Sequence, residues 1–175
     1  MTSPSEERAA AAPGGAVRIR PARLEDARGI YHLIAENPGE LVPRPIASVV
    51  QNIDRFVVVE DEGGLVGAAS FGIYPEIGEP RSAAVELQSV CIRADRRGLG
   101  LGRRLVEAVI ARIRPFAPCQ VVVLTFTPPF FAKLGFREVE KRSLMYKLYM
   151  GCVNCTKHES PFTCPEVAMA LPLVP

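Results

Sequence analysis

Apolar residues recur along this chain in two rhythms, and the switches between them mark out its elements. Residues 17–20 alternate as Val17, Arg18, Ile19 and Arg20, which predicts a strand that Pro21 ends. Asp26 stands where a helix cap belongs, followed by Ala27, Ile30, Tyr31 and Ile34 at helical spacing. Asn37, Pro38 and Gly39 break that helix. Pro45 opens a second one through Ile46, Val49, Val50 and Ile53. Residues 56–59 read as a buried strand, residues 61–64 as a turn, and residues 65–74 as the hairpin partner. A further strand is expected over 85–92, then a helix with Leu105, Val106, Val109, Ile110 and Ile113 on one face. A strand over 121–126 follows, bounded by Pro128 and Pro129. A short helix over 130–134 is closed by Gly135 in the C′ position. Sixth and seventh strands are expected over 136–139 and 167–171. This order predicts an α/β fold with one mixed sheet.

Composition narrows the class. A chain of 175 residues with 48% hydrophobic and 23% charged residues suits one domain with a sizeable core. A net charge of +2 is too small to argue for nucleic acid or an anionic membrane. No apolar run approaches the roughly 20 residues of a membrane helix. Residues 1–16, rich in Ala, Ser, Pro and Gly with acidic Glu6 and Glu7, read as a disordered leader, which leaves 17–175 as the domain. Five cysteines without a secretion signal argue for a reducing, cytoplasmic setting.

The most informative stretch runs through Val90, Cys91 and Ile92 into Arg97, Gly98, Leu99, Gly100, Leu101, Gly102 and Arg103. A strand enters a glycine-rich turn that opens a helix. Glycines let backbone N–H groups close on a ligand, and the helix N-terminus adds partial positive charge, which together suit a pyrophosphate. The turn lies past mid-chain, and Val122 stands where a Rossmann site would carry an acidic residue. No Gly-Lys-Ser/Thr follows, so a P-loop is excluded as well.

The spacing Arg97-x-x-Gly100-x-Gly102 resembles the acetyl-CoA signature of the GNAT N-acetyltransferases. Phe130 to Phe136 resembles that family's aromatic-x-Lys-x-Gly-Phe segment, and the element order fits. The resemblance implies a single-domain GNAT-like fold: a mixed, mostly antiparallel twisted sheet flanked by helices. It also implies acetyl-CoA as co-substrate. The backbone at Val90, Cys91 and Ile92 would hold the pantetheine arm. The stretch from Arg97 to Gly102 would hold the pyrophosphate, with Arg103 as a nearby charge. Leu41-Val42-Pro43-Arg44, the Glu86-Leu87-Gln88 strand and the Lys147 region are similar to the acetyltransferase domain of N-acetylglutamate synthases, in a short, stand-alone form.

That likeness implies L-glutamate as acceptor, with transfer to its α-amino group as in arginine biosynthesis. Arg44 and Lys147 are the candidate carboxylate partners, since a dicarboxylate needs fixed cations. Glu86, a carboxylate interrupting an apolar strand, is the candidate base. Phe131 occupies the position of the family's usual Tyr acid, so no acid is assigned. Other amino acids, small amines or protein N-termini stay open as acceptors, as does an acyl-CoA-sensing module without turnover; a homodimer is left open. Cys152, Cys155, His158 and Cys164 offer four soft ligands for a structural zinc in an insert at about 150–165, with redox chemistry or a loop staple as competing readings.

Overall fold

The computed structural model describes residues 16–74, 84–152, 155 and 158–173. The expected leader lies outside them apart from Ala16. Strands are β1 (Arg18–Pro21), β2 (Val57–Asp61), β3 (Gly64–Tyr74), β4 (Ala84–Ile92), β5 (Gln120–Thr125), β6 (Arg137–Glu138) and β7 (Val167–Pro172). Helices are α1 (Ala27–Ala35), α2 (Ile46–Gln51), α3 (Leu101–Ile113), α4 (Pro128–Ala132) and the single turn α5 (Met145–Lys147). The strands form one sheet in the order β1-β2-β3-β4-β5-β7-β6. Among the described strands only the β4–β5 pair is parallel. The expected mixed, mostly antiparallel sheet is therefore present.

Period-2 alternation sends each strand's apolar residues to two faces. On one, Leu105, Val106, Val109 and Ile113 of α3 pack on Val57, Val59, Phe71, Val85, Leu87 and Val121. On the other, Ile30, Leu33 and Ile34 of α1 and Val49 of α2 pack on Phe56, Val58, Ala68 and Cys91. Burying each such Leu or Ile contributes about 1.5–3 kcal/mol. Farther along this second face, Val122, Ala168 and Ala170 are covered by Leu144 from the short helical turns that include α5.

One irregularity shapes the molecule. Ala68 pairs with Cys91 but Ser70 pairs with Gln88, so Ala69 opposes two residues, Ser89 and Val90. Ser89 takes φ +52°, the left-handed conformation of a bulge. The extra residue reverses which side chains face which layer. Val85 and Leu87 lie under α3 before the bulge, Ile92 after it, and Cys91 turns to the α1 side. Among the described residues β4 pairs with β5 only at Val85–Val121 and Glu86–Val122, and beyond Glu86 the two strands part.

Several boundaries differ from expectation. Asp26 is not a side-chain cap of α1. It ends a 3-10 turn, Leu24–Asp26, and its carboxylate accepts the Arg23 amide at 2.7 Å instead. α2 ends at Gln51, and Ile53 belongs to a separate 3-10 turn, Ile53–Arg55. Pro128 and Pro129 form the first turn of α4 rather than a boundary before it, because a first turn needs no N–H donors. Gly135 does close that helix, at φ +90°. Its N–H reaches the Ala132 carbonyl, that of Phe136 reaches Phe131, and the two Phe rings meet at 5.5 Å. β6 is two residues long, shorter than the expected 136–139.

Candidate active site

The gap between β4 and β5 opens into a cavity of about 1100 Å³. At one end stands the N-terminus of α3. Gly98 and Gly100 take φ +79° and +74°, which a side chain resists, and Gly100 is the N-cap. Among the described residues no side chain caps this helix, and its first amides have no intrahelical acceptor. Gly102 is needed for closeness: a Cβ there would lie 3.3 Å from the Phe130 ring. Val90, Cys91, Ile92, Leu101 and Arg103 also border the cavity. Leu99 is exposed on the turn.

Two members of the expected cofactor set do something else with their side chains. Arg97 donates to the Ile92 carbonyl at 3.2 Å, to Glu40 at 3.2 Å and to Asn37, stapling the glycine turn to the α1–α2 loop. The Cys91 thiol turns away toward the Ala68 carbonyl, and burial pushes its pKa up to about 12, so it stays protonated.

At the opposite end lies a polar network. Glu86 is 4% exposed, on the face of β4 away from α3. Its Oε1 receives Lys147 Nζ at 2.7 Å. Its Oε2 accepts the Tyr74 hydroxyl at 3.0 Å and the Gln88 amide. Gln88 Nε2 also donates to Tyr74 Oη at 2.8 Å, while Gln88 Oε1 accepts Arg44 Nη2 at 2.7 Å. The Gln88 amide is thus oriented at both ends, oxygen to a cation and nitrogen to a carboxylate. It crosses Gly72, where a Cβ would lie 2.8 Å from Nε2. Gly151 is similarly tight over Lys147 Nζ, at 2.7 Å.

The charges follow from this packing. Burial, the largest single effect, would lower the Lys147 pKa, but the charge and hydrogen bond of Glu86 together with the neighbouring Tyr74 outweigh it and hold the value above the ordinary lysine range. Burial first, and then the charge of Glu86, pushes the Tyr74 phenol up to about 12. Lys147 is therefore a charged partner of Glu86 before any acceptor arrives.

Sequence reasoning selected Glu86, Arg44 and Lys147, and the structure brings all three to one end of the cavity. It missed Tyr74 and the clamp at Gln88. Gln88 follows Glu86 at i+2 on one strand, so their shared face was readable. Tyr74 reaches them from β3, and nothing local in the sequence signals that. Phe131 is 3% exposed and packs on Phe130 and Phe136.

The proposed metal set does not form. Among the described residues no group of three or more His, Cys, Asp or Glu is placed to hold a metal, although Cys152, Cys155, His158 and Cys164 are all described. Cys152 and Cys155 border the cavity, Cys164 Sγ lies 3.4 Å from Glu166, and the His158 ring lies against Phe126. The short spacing of the CxxC pair brings those two cysteines into one turn, but tertiary packing carries the other two donors elsewhere.

Comparison with known proteins agrees with this geometry. The model of the acetyltransferase (GNAT) domain matches residues 52–138. An uncharacterized N-acetyltransferase of Chlorobaculum tepidum is 29% identical over 90% of this chain and 97% of its own length. An amino-acid acetyltransferase of Ralstonia nicotianae is 36% identical over 67% of this chain, which spans only 26% of that relative. Two solved structures have a TM-score of 0.73 at 22% identity, a likeness of fold. One is a Mycobacterium tuberculosis protein in complex with CoA and NLQ, matched over 90% of this chain and 99% of its own. The other is the Neisseria gonorrhoeae N-acetylglutamate synthase with coenzyme A and N-acetyl-glutamate, matched over 94% and 37%. The glycine turn heading α3, the mixed sheet and the family match over residues 52–138 lead to one conclusion: this chain carries a GNAT acetyltransferase domain.

Proposed function

We propose that this protein moves the acetyl group of acetyl-CoA to the α-amino group of L-glutamate, as in arginine biosynthesis. The observation that carries the reading is Glu86, a buried carboxylate facing the cavity and linked through Gln88 to the guanidinium of Arg44. The amino-acid acetyltransferase relatives, and the neighbour solved with N-acetyl-glutamate, support the choice of acceptor.

In this reading the amides heading α3 and the turn from Arg97 to Gly102 take the pyrophosphate. The β4 edge at Val90, Cys91 and Ile92, freed where β5 departs, takes the pantetheine arm and polarises the thioester carbonyl. The ammonium of glutamate must lose a proton before it attacks. Glu86 receives that proton, directly or through a water. Lys147 serves Glu86 as charge partner rather than holding the acceptor. The phenyl ring of Phe131 cannot donate a proton, so the departing thiolate takes one from solvent.

The test is incubation of the protein with acetyl-CoA and a panel of L-glutamate, L-glutamine, L-aspartate, other amino acids and peptide N-termini. Acetylated product is read by mass and CoA release by rate. Glutamate is expected to lead the panel in kcat/KM by at least about tenfold, the lower bound for a one-methylene difference such as that from aspartate. A different leading acceptor overturns the assignment.

A further inference from the structure

Among the described residues seven cationic side chains border the cavity, and most are neutralised where they stand. Arg96 faces Asp61 at 2.8 Å, Arg97 faces Glu40 at 3.2 Å, Arg103 faces Glu107 at 2.8 Å, and Lys147 faces Glu86 at 2.7 Å. Lys133 is exposed and follows α4, whose Phe130 sits against Gly102 at the glycine-turn end. Arg44 and Arg55 are left. The partner of Arg44 is the neutral amide of Gln88. The guanidinium of Arg55 has no hydrogen bond or ion pair among the described residues, yet it is half-buried.

The fold puts these two arginines at the same end. β2 begins at Val57, which pairs with Ala69, so the last residues of β3 pair with β4 on one side and run past the start of β2 on the other. The turn Ile53–Arg55 fills that flank and contacts β3, whose Gly72 and Tyr74 border the cavity together with Gln88. Arg44 reaches Gln88 from the α1–α2 loop. Two guanidiniums without a carboxylate between them, both partly withdrawn from water, are costly until an anion joins them.

We infer that Arg55 is a second anion-binding residue of the acceptor site: it receives the side-chain carboxylate of a dicarboxylic amino acid, while Arg44, joined through Gln88 to Glu86, receives the α-carboxylate beside the amine. The inference rests on the acetyl-transfer reading above and supplies the cation that Lys147, engaged by Glu86, does not. An arginine offers a bidentate fork to a carboxylate, so one arginine for each carboxylate selects glutamate over glutamine and over monocarboxylic amino acids.

The experiment compares wild type with Arg55→Gln and Arg55→Lys, using initial rates on L-glutamate and on its amide isostere L-glutamine at saturating acetyl-CoA. Circular dichroism and acetyl-CoA affinity report that each variant is folded. Arg55→Gln is expected to raise the glutamate KM by about 10–100-fold, the loss of one charge-assisted contact. The glutamine KM should move less than about threefold and kcat should change little, while Arg55→Lys recovers part of the loss because it keeps the charge without the fork. A folded Arg55→Gln variant with an unchanged glutamate KM overturns the role of Arg55 alone. Equal rises for glutamate and glutamine overturn it too, since the side-chain carboxylate would then not be what Arg55 reads. Wild-type protein that leaves glutamate unacetylated overturns the acceptor reading, and this inference with it.

Discussion

Three donors converge on Glu86, and their removal should separate chemistry from stability. Glu86→Gln keeps the shape of the site but removes the proton acceptor. Turnover should fall by about 10²–10⁴-fold while acetyl-CoA affinity stays nearly intact; a rate within a few-fold of wild type at every pH would take Glu86 out of the mechanism. Lys147→Met does the opposite, leaving a carboxylate that is 4% exposed without its counter-ion. Breaking a buried pair from one side costs about 3–5 kcal/mol. Urea unfolding should show that loss, and the double variant with Glu86→Gln should recover much of it. If the two changes add without recovery, the pair is not coupled as its 2.7 Å geometry implies. Glu86 itself was readable as a carboxylate within an apolar strand. The identity of its counter-ion was not, because 61 positions of chain separate the two residues and only tertiary packing closes that distance.

Among the elements, two glycines with the same backbone habit carry different loads. Gly100 at φ +74° heads α3, and Gly135 at φ +90° closes α4. Either one changed to Ala pays the left-handed penalty of about 1–2 kcal/mol. Gly135→Ala should stop there, with a lower midpoint in denaturant and unchanged acetyl-CoA affinity. Gly100→Asp should pay it and also abolish acetyl-CoA binding, because bulk and negative charge then stand at the helix N-terminus. Calorimetry on the folded variants distinguishes the two. Intact binding in Gly100→Asp would remove the pyrophosphate from this turn. Both glycines were legible as turn or cap residues from their neighbours alone. The register of α4 was less so: the prolines that mark the end of β5 also make a good first helical turn, and both roles are local.

The whole molecule is tied near its first strand by a partly buried triad. Arg20 of β1 meets Asp26, before α1, and Glu60 of β2, each at 2.6 Å, and Asp26 is 7% exposed. The hydrogen bonds from Arg20 are the main cause that holds the Asp26 carboxyl below its ordinary range. A carboxylate whose folded pKa is depressed stabilises the fold above its unfolded value near 3.9, and loses that contribution as pH falls through the lower folded value. Wild-type stability should therefore decline below about pH 4, toward the depressed value. Asp26→Asn should be less stable at pH 7 and flatter across that acid window. Urea midpoints at a series of pH values measure both; parallel curves for the two proteins would show that Asp26 does not carry the acid sensitivity.

Much of this protein is determined by local sequence. Apolar period set the strands and helices, because burial rewards one face at a time. The glycine spacing from Gly98 to Gly102 marked the turn that heads α3, because a close backbone approach leaves no room for side chains. The residues of the acceptor end could be nominated singly but not assembled. A one-residue bulge at Ser89 reverses the faces of β4, and Tyr74 and Lys147 gather on Glu86 and its strand neighbour Gln88 from two distant segments. The same long-range packing parted the four expected metal ligands and left Arg55 facing the cavity without a partner among the described residues. Pattern along a chain specifies which side chains are buried; which charges meet is settled only when strands and loops distant in sequence are brought together.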